Sequence, residues 1–185
     1  GLEDICIGTP LANRNYKELE PVVGFFINNL VLRTSLEGGP GFRELLQRVK
    51  TSTLSAFRHQ DVPFEQIVDE IEKNRNLSRN PIFQVTFAMQ NTPDIPEMVL
   101  EGLDVSFESS AHSASRFDMN FSVTETRQGL AVAIEYCSDL FTESRIAGMA
   151  THFEELLRSA VADPEMPVGR LKMLSQEEER QVVFG

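Results

Sequence analysis

The chain has 185 residues and carries 17 Lys and Arg against 28 Asp and Glu, a formal charge of −11. That length suits one domain or one large lobe, and a compact chain of this size buries roughly 70% of its unfolded surface without disulfide or metal staples. With 41% apolar and 24% charged residues the composition is globular rather than disordered, and the acidic balance disfavours nucleic acid and anionic membrane as partners, because neither meets a basic counterpart.

Cys6 and Cys137 lie far apart in apolar surroundings, which fits buried reduced thiols in a cytoplasmic protein rather than a disulfide scaffold or a zinc site. The longest uncharged apolar stretch, Pro21 to Leu32, is too short to cross a bilayer. No basic region followed by an apolar run opens the chain, so no signal peptide is expected. Starting without Met and passing almost at once into Ile5-Cys6-Ile7, the chain reads as an excised piece.

In chain order, Ile5 to Gly8 predicts a short buried strand stopped by Thr9-Pro10, since proline cannot donate to a ladder. Turn residues Asn13-Arg14-Asn15 precede a brief helical segment within Tyr16 to Val23. Phe25 to Leu36 predicts a second strand, buried on both faces around Leu30 to Leu32. Gly38-Gly39-Pro40-Gly41 breaks the chain; no Lys-Ser/Thr follows, so it reads as a turn and not a phosphate loop. From Phe42 the period becomes helical, with Phe42, Leu45, Leu46, Val49, Thr53, Leu54 and Phe57 on one inner face. Pro63 suits the first turn of a second helix running to about Glu72, with Phe64, Ile67, Val68 and Ile71 inward.

The second half predicts strands at Ile82 to Met89, around Leu103 to Phe107, at Phe117 to Thr126 and at Leu130 to Cys137, the last two joined as a hairpin through Arg127-Gln128-Gly129. A long helix follows from Thr142 to Val161, with Ile146, Met149, Phe153, Leu156, Leu157 and Ala160 inward. Asp163-Pro164-Glu165-Met166-Pro167 stops it. Ser175-Gln176-Glu177-Glu178 is a capping-box pattern opening a last acidic helix. Strand, strand, two helices, about five strands and a long helix give an α/β chain, an α+β sandwich with helices packed on a mixed sheet.

Unaided chemistry is thin. His59, His112 and His152 fall in different elements with no metal-ligand spacing, so no metal is expected. No nucleophile elbow or dinucleotide glycine pattern occurs. His152 reads as a solvent-edge helix residue, and Arg116-Phe117-Asp118 as an ion pair at a strand start.

Three ordered stretches stand out: Val23-Gly24-Phe25-Phe26-Ile27-Asn28-Asn29-Leu30-Val31-Leu32-Arg33, then His59-Gln60-Asp61-Val62-Pro63-Phe64-Glu65-Gln66-Ile67-Val68, then Arg75-Asn76-Leu77-Ser78-Arg79-Asn80-Pro81-Ile82-Phe83-Gln84. Their order and spacing resemble the fifth, sixth and seventh core motifs of nonribosomal peptide synthetase condensation domains. Ile5 to Pro10 with Asn13-Arg14 is similar to the segment before the fifth motif. Leu140-Phe141, Ala162-Asp163-Pro164 and Leu174-Ser175 are similar to the family's C-terminal end. The chain departs from the pattern at Asn29, where Thr is usual, and at Asn76, where Asp is usual.

The resemblance implies one lobe of the CoA-dependent acyltransferase fold, here the C-terminal, acceptor-side lobe (residues 1–168), with residues 169–185 starting a linker toward an adenylation domain. It implies amide formation between acyl or aminoacyl thioesters carried on phosphopantetheine arms of peptidyl carrier proteins, with no cofactor bound by the lobe itself. The family's His-His-x-x-x-Asp-Gly motif belongs to the N-terminal lobe and is absent here, so no catalytic residue is expected in this chain and the isolated chain is expected to be inactive. The implied partners are that N-terminal lobe, carrier proteins and the adenylation domain.

The same resemblance places Asn28, Phe26 and Gly24 on the substrate channel. Asn28 either holds a thioester or pantetheine amide or satisfies backbone at the start of its strand; Gly24 permits a close approach or a positive φ. His59, Asp61, Pro63 and Phe64 are expected in capping and inter-lobe contacts, and Arg79, Asn80 and Pro81 in fixing the loop before a strand. Two other readings stay open: a non-catalytic module that docks carrier and adenylation domains, and the lobe of an epimerisation or cyclisation relative.

Overall fold

The computed structural model describes residues 2–73, 79–90 and 115–184. Five strands form one mixed sheet in the order β2-β1-β3-β4-β5. β1 (Asp4–Leu11) and β2 (Asn28–Ser35) are antiparallel, as are β4 (Met119–Thr126) and β5 (Gly129–Tyr136), while β3 (Val85–Gln90) runs parallel to both β1 and β4. The expected α/β arrangement and the hairpin are both present; its turn is Arg127-Gln128, closed by the Thr126–Gly129 pair with Gly129 at φ +129°. The strand expected around Leu103 to Phe107 lies outside the described residues. Between the second and third long helices the described residues hold three strands, fewer than the five expected.

β1 does not stop at Gly8. It runs through Thr9 and Pro10 to Leu11, with Pro10 opposite Asn29. The tolerance is physical: β1 meets β3 at the single registered pair Gly8–Thr86, so beyond Gly8 that side of β1 behaves as an edge, where a missing N–H costs little. β2 is also not enclosed on both faces. It is the sheet edge, with Leu30 buried, Leu32 half-buried and Arg33 exposed. Arg33 forks onto Asp4 through Nε–Oδ1 at 2.9 Å and Nη2–Oδ2 at 2.7 Å, and charge on an edge discourages further strand pairing.

Helices α1 (Phe42–Arg58) and α2 (Phe64–Ile71) follow β2, and α3 (Glu143–Ala162) and α4 (Gln176–Phe184) follow β5. Gly41, the N-cap of α1, has no side chain to offer. The free N–H groups of Phe42 and Arg43 donate instead to the carbonyls of Met166 (3.1 Å) and Pro164 (2.8 Å), so the segment that ends α3 caps α1. A Cβ on Gly41 would lie 2.8 Å from the Glu165 carbonyl, so glycine permits this approach. The expected inner face of α1 is only partly covered: Leu46, Val49, Leu54 and Phe57 are exposed, as are Ile71 on α2 and Leu157 on α3. α1 rests on the edge strand β2, which is too narrow to cover a whole apolar stripe.

The core gathers around Phe83, 1% exposed, whose ring centroid lies 5.3 Å from Phe64 and 5.6 Å from Phe117. A Cβ on Gly8 would meet that ring at 2.1 Å, so glycine is required in β1. Before it, Ile82 adopts φ +67° while the Phe83 N–H donates to the Pro81 carbonyl at 2.7 Å, a tight γ-turn strained for a β-branched residue. Such strain persists only where the surroundings fix it, and here the seat of Phe83 does so.

Candidate functional site

Asn28 opens β2 and is 9% exposed. Its Nδ2 donates to the carbonyls of Gln60 (2.8 Å) and Val62 (2.9 Å), and its Oδ1 accepts from the N–H groups of Phe64 and Asn29, both at 3.0 Å. An amide offers two donor hydrogens and two acceptor lone pairs, so backbone engages all of them. The second reading of Asn28, backbone satisfaction, describes this geometry. Pro63 occupies the N-cap of α2, just before the helix proper, and provides no side-chain cap; Asn28 supplies the acceptor for the first helical N–H from another element.

The approach to β2 alternates. Val23, Phe25 and Ile27 project into solvent, Val23 at 99% and Phe25 at 85% exposure, while Phe26 and Asn28 turn inward. The Arg14 guanidinium stands 4.3 Å from the centre of the Phe26 ring and donates to the carbonyls of Leu19 and Val22, the latter at 2.7 Å. Gly24 serves a close approach, not a positive φ: a Cβ there would sit 3.0 Å from the Phe26 ring. Arg14 thus organises the segment before β2, a role its turn context did not signal.

His59 and Asp61 work separately. His59 ends α1 as its C-cap, with Nδ1 2.9 Å from the Ser55 carbonyl, and Asp61 accepts from Asn15 Nδ2 at 3.1 Å, tying the loop after β1 to the α1–α2 link. Asn80 Nδ2 donates to the Arg116 carbonyl at 2.7 Å, and the Gln84 amide donates back to the Asn80 carbonyl at 3.2 Å, which anchors the loop before β3; Pro81 is half-buried and Arg79 exposed. Arg75 to Ser78 and His112 lie outside the described residues. Cys6 and Cys137 are free and half-buried rather than fully enclosed.

His152 is not a solvent-edge residue. Its Nε2 meets Glu178 Oε1 at 2.8 Å, while Glu178 Oε2 accepts from the Ser175 N–H (2.9 Å) and hydroxyl (2.7 Å), completing the expected capping box. The Ser175 N–H first, then its hydroxyl and then His152 hold the Glu178 carboxyl down from 4.5 to about 2. Among the described residues no cluster of His, Cys, Asp and Glu could hold a metal ion, and no helix is long and apolar enough to cross a membrane.

The family model for the condensation domain matches residues 1–183. The chain belongs to the condensation-domain family. A linear gramicidin synthase of Brevibacillus parabrevis is 43% identical over 99% of this chain and 2% of its own length. Among solved structures, the X-domain of teicoplanin biosynthesis in complex with OxyB superposes with a TM-score of 0.82 at 30% identity, over 94% of this chain and 39% of that one. The first condensation domain of the CDA synthetase gives 0.71 at 19% identity, over 94% and 38% respectively, a likeness of fold alone. The condensation-family chain therefore has the CoA-dependent acyltransferase fold, and its relatives are nonribosomal peptide synthetases, antibiotic synthetases among them. It spans between 2% and 7% of the length of the curated relatives it matches.

Proposed function

We propose that this chain is the C-terminal, acceptor-side lobe of a condensation domain that forms amide bonds between carrier-bound thioesters in the cytoplasm. The acceptor amine attacks the donor thioester carbonyl, the C–S bond breaks, the amine proton departs, and the products are an amide and a free carrier thiol. Phosphopantetheine arms of peptidyl carrier proteins deliver both substrates, and the catalytic His-His-x-x-x-Asp-Gly motif comes from the N-terminal lobe. This lobe contributes by positioning, which can lower a barrier without moving a proton.

The observation that carries the reading is the exposed apolar strip Val23, Phe25 and Ile27 beside the Asn28 clamp. Large apolar groups left this open mark a surface that another body covers, and here they lie within the stretch that resembles the fifth motif. In this reading Gly24 and Phe26 line the channel, and Asn28 acts on it by holding β2 against the start of α2. His59, Asp61, Pro63 and Phe64 support that wall, and Arg79, Asn80 and Pro81 support the next strand. The test is reconstitution with two carrier-bound aminoacyl thioesters and mass spectrometry of the product. The chain alone yields no amide, and addition of a separately expressed N-terminal lobe yields it; product from the chain alone overturns the placement of catalysis in the other lobe.

A second reading, a docking module without catalysis, draws support from the likeness to the X-domain, a protein solved in complex with OxyB. Under it the reassembled lobes bind a carrier protein yet form no amide.

A further inference from the structure

The five strands bring residues to one level on one face of the sheet. The register pairs Asn29 with Pro10, Thr86 with Asn120 and Asn120 with Glu135, and it pairs Gly8, two residues before Pro10, with Thr86. Because strand side chains alternate, this row faces away from Asn28, which turns to the α1–α2 link, and from Phe121, which meets Phe153 of α3 at 5.8 Å. Together with Arg116 and Phe117, the row encloses a cleft of about 300 Å³.

The polar groups in this cleft have a defined polarity. Thr86 is 3% exposed, and its hydroxyl donates to Asn120 Oδ1 at 2.9 Å. The single hydroxyl proton fixes the amide with oxygen toward Thr86 and NH2 away from it, leaving Asn120 a donor and a second acceptor lone pair side by side. Arg116 and Glu135 bring opposite charges to the walls, so a ligand of either sign meets a like charge. Pro10 and Phe117 give apolar sides. An uncharged primary amide matches this set: its carbonyl accepts from Asn120 Nδ2, and its NH2 donates to Asn120 Oδ1.

We infer that the cleft of Asn29, Thr86 and Asn120 is a recognition site for an uncharged primary amide, the side chain of a glutamine- or asparagine-type aminoacyl substrate. The aminoacyl part rests on the condensation reading; amide recognition does not. A site built to hydrogen-bond one polar group rejects analogues that lack it, because its own groups are then left unpaired.

The test is titration of the whole chain, followed by backbone NMR, with the methylamides of N-acetyl-glutamine, N-acetyl-methionine and N-acetyl-glutamate. The glutamine probe binds about tenfold more tightly than either other probe and shifts the Thr86 and Asn120 amides. Thr86→Val keeps the shape but frees Asn120 to turn, and reduces the preference; Asn120→Leu removes it. Melting curves confirm that both variants fold, and Asn120→Ser replaces the leucine variant if that one does not. Equal binding of the three probes, or an unchanged preference in a folded Asn120 variant, overturns the inference. A chain that selects the amide probe but forms no peptide bond with its partner lobe retains this site and loses the catalytic reading.

Discussion

Replacing Asn28 by alanine removes the acceptor for the first N–H of α2 and the donor to the Gln60 and Val62 carbonyls. Each buried polar group left unpaired costs about 1–3 kcal/mol, although partial hydration and relaxation keep the sum below the simple total. An overall loss of about 2–3 kcal/mol is expected, read as a fall of roughly 5–10 °C in the melting temperature of a chain this long. In the reassembled enzyme, single-turnover kinetics separate the two roles considered for this side chain. A destabilised variant with an unchanged rate per folded molecule assigns Asn28 to the clamp alone, and a rate loss that exceeds the folding loss shows that the clamp also sets the channel. Aspartate does not rescue the clamp, because it presents oxygen to two carbonyls. None of this was legible in sequence: the type of residue suggested a polar anchor, but its partners lie more than thirty positions away.

At the scale of elements, Glu178 joins α4 to α3 through Ser175 and His152. Its folded-state pKa is depressed from 4.5 to about 2, so the fold favours the carboxylate. The contribution is complete above the ordinary value and is lost as pH falls from 4.5 toward about 2. Melting of the wild type and of Glu178→Gln therefore differs at neutral pH and converges through that acidic window; a constant difference across it rules out the carboxylate as the source. The local half of this clasp was readable, since Ser175 and Glu178 sit three residues apart in a pattern that satisfies two backbone donors. The His152 half was not, because helical spacing alone does not tell an outward histidine from one that meets a later helix. Helix periods, the hairpin and the Thr142 cap of α3 were legible for the same reason as the box: their determinants are neighbours in sequence. Pro10 misled because its effect depends on whether a strand has a partner on that side, which is a tertiary fact.

For the whole molecule, the strip of Val23, Phe25 and Ile27 should matter to assembly and not to this chain's own fold. Surface substitutions away from special features usually change stability by about 0.5 kcal/mol or less. Val23→Ser with Phe25→Ser is thus expected to leave the melting temperature of the isolated chain within about 2 °C and to abolish its association with the N-terminal lobe in sedimentation. Retained association shows that the contact lies elsewhere, with the open stripe of α1 next in order of exposed apolar area. The sheet carries a further consequence, for the time course of folding. It consists of two antiparallel pairs, β1–β2 and β4–β5, connected through β3, and only the Gly8–Thr86 register pair links β3 to the first pair. The β4–β5 pair closes through a two-residue turn and can form within microseconds, whereas the Gly8–Thr86 junction must wait until a long loop has closed. The seam between β1 and β3, where Phe83 needs the empty space beside Gly8, is therefore the last part of the sheet to form and the step that sets the pace.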